Sequence, residues 1–167
     1  MKSSIAALLL IMIASVLSAQ DFKVPVNYQF ETAEDIKAYE PKIKACINWL
    51  QSTPLDEQTD KRTNANAFLM AWLTVSPSVK IGVQPYVMEL TKKNPDLLMI
   101  FFGGWTSHSL ENPAQIKNAE LNNIKALRSL IDFYAANLKS GIKKEKKIEK
   151  LKAMSDDELK EWLTGKI

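Results

Sequence analysis

The sequence predicts an all-α protein, a compact array of six to seven helices with an extended N-terminal arm. Three observations carry that expectation. Apolar residues recur at three- and four-residue steps through most of the chain, most regularly at Ile116, Leu121, Ile124, Leu127, Ile131, Tyr134 and Leu138, which is the spacing of one helix face. Helix start and stop signals fall between these stretches, at Thr32, Pro41, Pro85, Pro95, Pro113, Gly141 and Ser155. A period of two governs only residues 20–31, and no second convincing strand exists to pair with them.

The chain of 167 residues opens on MKSSIAALLLIMIASVLSA. Lys2 and the amino terminus supply a positive start, Ile5 to Ala14 is unbroken apolar sequence, and Ser15 to Ala19 are small or weakly apolar. This is the pattern of a secretory signal peptide over residues 1–19, with cleavage after Ala19 and Gln20 as the first mature residue. The apolar run is shorter than the roughly 20 residues that cross a bilayer, so no stable membrane insertion is expected after cleavage. No cysteine follows the small residues, so no lipid attachment is indicated. The compact leader is of bacterial style, and the expected location is exported, periplasmic rather than fully extracellular.

One of the 22 basic residues falls in the leader, leaving 21 against 19 acids and a mature net charge of +2. Such a balance selects no class of partner, and nothing in it asks for nucleic acid. Cys46 is the single cysteine, so no internal disulfide framework exists and stability must come from packing. It falls among Ile43, Ile47 and Leu50 on one helix face, the place of a small buried hydrophobe.

Residues 20–31 place Phe22, Val24, Val26, Tyr28 and Phe30 in phase, an arm laid along the body; Val79, Ile81 and Val83 offer the one candidate strand partner. The helical domain is expected over 32–167. Thr32 caps its first helix ahead of Glu34 and Asp35, where the helix dipole favours acids, and Pro41 ends or kinks that helix and restarts it. A second helix runs from about Leu55 to Thr74 and stops at Ser76-Pro77-Ser78. Pro85 opens a short helix from Tyr86 to Lys93, and Pro95 another, with six consecutive apolar residues from Leu97 to Phe102. Pro113 starts the longest, which runs through Ser140 to Gly141. A charged helix follows from Lys143 to Ala153, and Ser155 with Glu158 forms a capping box at the start of the last.

The segment Gly103-Gly104-Trp105-Thr106-Ser107-His108-Ser109 gathers the side chains best suited to a site. Trp105 offers a stacking surface, and His108, the single histidine, exchanges protons near neutrality. The same residues also read as packing: two glycines let helices approach, Trp105 fills the core and His108 satisfies a carbonyl. The expected ligand-binding residues are Trp105 and His108, bordering a groove, with Tyr86 as a wall. A hydrolase-like alternative uses His108 as general acid or base, but Ser107 and Ser109 are poor direct partners for it on one helix, and no Gly-x-Ser-x-Gly turn occurs. One histidine and one cysteine build no metal site, and no glycine-rich phosphate loop is present, so neither metal nor cofactor is expected. Seven lysines between Lys139 and Lys152, against Glu145 and Glu149, form the one strong charge asymmetry, with Lys143, Lys144, Lys146 and Lys147 as candidates for anionic surfaces. The expected function is that of an exported, soluble, non-catalytic binding or interaction module of the bacterial cell envelope, its partner an envelope protein or a small ligand.

Overall fold

The computed structural model describes residues 22–167. The leader, with Gln20 and Asp21 of the arm, lies outside the described residues. Among these are eight α-helices: α1 (Ala33–Ala38), α2 (Glu40–Ser52), α3 (Thr59–Val75), α4 (Pro85–Thr91), α5 (Asp96–Glu111), α6 (Ala119–Ala136), α7 (Lys146–Lys152) and α8 (Asp156–Leu163), with a 3₁₀ turn at Pro113–Gln115. No strand occurs among the described residues, and none of their helices is long and apolar enough to cross a membrane.

The capping box expected at Ser155 forms, and the expected Thr32 cap is closed into a second one. Asp35 N–H donates to Thr32 Oγ1 at 3.1 Å and Thr32 N–H returns to the Asp35 carboxylate at 3.0 Å; Ser155 and Glu158 repeat the exchange at α8. Pro41 sits in the first turn of α2, so the expected first helix becomes two, α1 and α2. The long sixth helix begins six residues later than Pro113. Asn118 supplies its cap, accepting from Leu121 N–H at 3.0 Å, while Pro113 nucleates only the 3₁₀ turn. At its far end Asn137 donates its amide to Phe133 O at 2.9 Å, which closes the helix short of Gly141.

Helices α5 and α6 form the central pair, with α2 against α5 and α3, and α7 and α8 against α6. Contacts pair His108 with Asn122 and Gly104 with Ser129, so α5 and α6 run antiparallel. Helix α5 is buried on nearly every side, Leu97, Ile100, Phe101, Phe102 and Trp105 included, which accounts for its continuous apolar run. A Cβ at Gly104 would stand 2.7 Å from Ser129 Cβ and 3.0 Å from Ala126 Cα, so glycine is what permits the two backbones to come this close. Trp72, fully buried, donates its indole N–H to Ile36 O at 2.8 Å and so ties α3 to α1.

The arm packs by its aromatic rings. Phe22 lies 6.4 Å from Trp49, and Tyr28 lies 5.2 Å from Phe30 and 5.0 Å from Phe68. Its two-residue phase breaks at Asn27, whose φ of 54° is left-handed, and Val26 is thereby turned out to 83% exposure. As expected of an arm, residues 22–31 pair with no strand among the described residues; the candidate partner at Val79, Ile81 and Val83 is an unpaired stretch in which Val79 is buried and Val83 exposed.

Arg62, which the sequence places in a charged helix start, is buried instead. Its guanidinium donates to Leu50 O at 3.0 Å, Thr53 O at 2.6 Å and Pro54 O at 3.2 Å, closing the carbonyl end of α2, and lies over the rings of Trp49 and Phe133. A cation at a helix C-terminus meets the negative end of the macrodipole. Burial lowers its pKa from the ordinary guanidinium value, opposed by the charge of Asp96. Asn94 makes a second long-range tie: its amide donates to Lys143 O at 2.8 Å and its side-chain oxygen accepts from Lys143 N–H at 2.7 Å.

Candidate functional site

Trp105 and His108 lie three residues apart on α5, and Tyr86 opens α4. Helix α6 holds two of them, His108 and Tyr86, through two consecutive asparagines. Asn122 and Asn123 are both buried, and a buried amide is costly unless its groups are paired. Asn122 donates to Ile116 O at 3.0 Å, which leaves its oxygen facing His108 Nδ1 at 2.8 Å. Because an amide oxygen only accepts, the His108 Nδ1 is the donor in this contact. Asn123 donates to Ala119 O at 2.7 Å and accepts from the Tyr86 hydroxyl. Burial pushes the Tyr86 phenol well above its ordinary pKa, so it stays a donor.

Two adjoining clefts flank this scaffold. The first, about 460 Å³, is lined by Pro77, Lys80 and Gly82 of the segment before α4, by Trp105, and by Lys117 and Asn123. The second, about 550 Å³, is lined by Tyr86, Glu89, Trp162 and Lys166. Gln84 and Ile167 border both. The Tyr86 ring stands edge-on to Trp162 at 5.2 Å, so its body walls the second cleft while its hydroxyl reaches the asparagine of the first. His108 lines neither.

Trp105 is 4% exposed, and its indole N–H has no hydrogen-bond partner among the described residues. Trp72 is just as buried but satisfied. An orphaned buried donor costs about 1–3 kcal/mol, and the Gln51 amide nitrogen and the Arg62 Nε–H are orphaned in the same way among the described residues.

The groups a hydrolase would need bond elsewhere. Ser107 Oγ donates to Glu111 at 3.1 Å, Ser109 Oγ to Asn122 at 3.4 Å, and Cys46 Sγ to Ala65 O at 3.4 Å. Burial pushes the Cys46 thiol up to about 12, which holds it protonated. No group of three or more His, Cys, Asp or Glu side chains that could hold a metal ion occurs among the described residues.

At the lysine-rich segment, Lys147 pairs with Glu89 at 2.6 Å and Lys93 with Glu145 at 2.8 Å, while Lys143, Lys144 and Lys146 are exposed. The Asn94 tie sets the end of α4, with Lys92 and Lys93, beside this segment. Sequence reading takes Lys92 and Lys93 as mere helix closure, since nothing local links positions 49 residues apart. The asparagine pair is missed as well, although two amides in phase with Ile124 and Leu127 on a buried stripe are a readable signal. No family model, no curated protein and no solved structure matches the chain.

Proposed function

We propose that the protein is an exported, non-catalytic binding module of the bacterial envelope whose ligand seats in the cleft walled by Trp105. The observation that supports this reading is the cleft of about 460 Å³ bounded by a buried tryptophan with an orphaned N–H, a volume within the range of small-molecule sites. Among the described residues the His108 ring bonds the Asn122 amide and no hydroxyl or thiol, which gives the hydrolase alternative less support.

Gly82 supplies the test. It lines the cleft, its φ is not left-handed, and an added Cβ would meet only Gln84 Nε2, at 3.9 Å. Gly82→Trp therefore adds a bulky side chain at the cleft lining with no close contact at its Cβ. The purified protein is incubated with an organic extract of bacterial envelopes and examined by native mass spectrometry. A bound mass on the wild type that Gly82→Trp lacks is the expected result; no adduct, or one that both proteins retain, refutes the reading. Export is checked on protein from the periplasmic fraction, whose first residue should be Gln20.

A second reading, attachment to anionic surfaces, is favoured by the Asn94 tie that gathers Lys92 and Lys93 with Lys143, Lys144, Lys146 and Lys147. It requires salt-sensitive binding to vesicles of acidic phospholipid, lost when Lys143, Lys144, Lys146 and Lys147 are replaced by glutamine.

A further inference from the structure

The ligand class of the Trp105 cleft follows from what lines it, and this step rests on the binding reading above. We infer that the cleft takes an amphiphilic organic anion, with one acidic headgroup and an apolar body. The charged side chains of the lining are Lys80 and Lys117; no aspartate or glutamate side chain is among them. Lys80 spends one of its three ammonium donors on Ser76 O at 2.8 Å, and neither lysine has a carboxylate within 4.0 Å among the described residues.

Helix α6 adds to the same sign. Its first residue, Ala119, lines the cleft beside Lys117, so the positive end of an 18-residue helix borders the space. Asn118 caps only Leu121 N–H, leaving the N–H groups of Ala119 and Glu120 for an anion. The independent observation is Trp105, a side chain 96% buried on this cleft with a donor that nothing in the described protein satisfies. The lining also includes apolar Pro77 and Ile116. A headgroup carrying negative charge meets Lys117 and the helix end, and an apolar body covers Pro77 and Ile116. A neutral apolar molecule would leave two ammonium groups without counter-charge, and a small inorganic anion would leave the apolar wall wet.

Two dyes of the same arylamine body separate these cases: 8-anilinonaphthalene-1-sulfonate carries an anion, and N-phenyl-1-naphthylamine does not. Each is titrated by fluorescence into the purified protein, into Lys80→Gln/Lys117→Gln and into Gly82→Trp, with circular dichroism verifying each fold. The anionic dye should bind about tenfold tighter than the neutral one, as one charge-assisted contact predicts. Dodecanoate should displace it and dodecanol should not. The double lysine variant should erase the tenfold difference, and Gly82→Trp should block both dyes. Equal binding of the two dyes, unchanged by the lysine variant but blocked by Gly82→Trp, overturns the anion assignment while leaving the cleft as a binding site. Absence of binding by both dyes, or binding that Gly82→Trp does not alter, overturns the cleft and the anion together.

Discussion

Replacing Gly104 by alanine tests how closely α5 and α6 are held. The added Cβ would lie 2.7 Å from Ser129 Cβ and 3.0 Å from Ala126 Cα, against an ordinary carbon–carbon contact of about 3.5–4.0 Å. Neither atom is the end of a flexible chain, so the helices themselves must part by roughly 1 Å. Overpacking of this kind costs about 1–3 kcal/mol. Alanine returns up to about 1 kcal/mol of helix propensity, so with contacts this short, at the upper end of the overpacking range, the net loss is about 2 kcal/mol. In a chain of this size that lowers Tm by about 4–8 °C, readable by circular dichroism. Gly103→Ala is the internal comparison: its Cβ would meet Ile47 Cγ2 at 3.1 Å and Gln51 Nε2 at 3.5 Å, both longer than the contacts at Gly104, so Tm should fall by less than in Gly104→Ala. Ser129→Gly added to Gly104→Ala should recover part of the loss, whereas Ser129→Ala, which keeps the obstructing Cβ, should recover little. A Gly104→Ala protein as stable as the wild type would refute the reasoning.

Arg62→Met keeps the buried stem but removes the donors to Leu50, Thr53 and Pro54; urea denaturation should show a loss of about 2–4 kcal/mol, with Arg62→Lys between it and the wild type, and an unshifted midpoint would contradict the capping role. Cys46 is held as a neutral thiol by burial, with its pKa raised to about 12. Its contribution to stability is complete below the ordinary thiol value and is lost as pH rises from there toward about 12, because the unfolded chain ionises first. Alkaline titration of stability should show that decline in the wild type and lessen it in Cys46→Ala, and a disulfide reagent at neutral pH should label Cys46 only at the rate at which the chain opens.

Signals confined to one turn were legible in the sequence. Thr32 with Asp35, Ser155 with Glu158, and Pro41 within the first turn of α2 each act through atoms a few residues away, so their types and spacing suffice. The start of α6 was not legible because Pro113 and Asn118 both favour helix initiation, and only the asparagine provides an acceptor that sustains it. The arm's phase was readable until Asn27, whose left-handed backbone no alternation reports. Trp105 stood out as an aromatic in an unusual setting, but its cleft depends on Pro77, Lys80, Gly82 and Gln84 coming to lie beside α5 and α6, along a path without periodicity. Arg62 resembled the solvated charges around it because its three carbonyl partners belong to the preceding turn and helix end.

The double hydrogen bond between Asn94 and Lys143 has a consequence for the chemical lifetime of the protein. Only an amide offers a donor and an acceptor side by side, so conversion of Asn94 to aspartate would set a carboxylate oxygen against Lys143 O and break one arm of the tie. Asparagine ages chiefly when the following residue's backbone nitrogen attacks the side-chain carbonyl. The following residue here is Pro95, whose ring nitrogen carries no hydrogen and cannot close the imide. The proline that opens the path into α5 thus also shields the amide that fastens the end of α4 to the segment before α7, and the fastening does not wear out by that route.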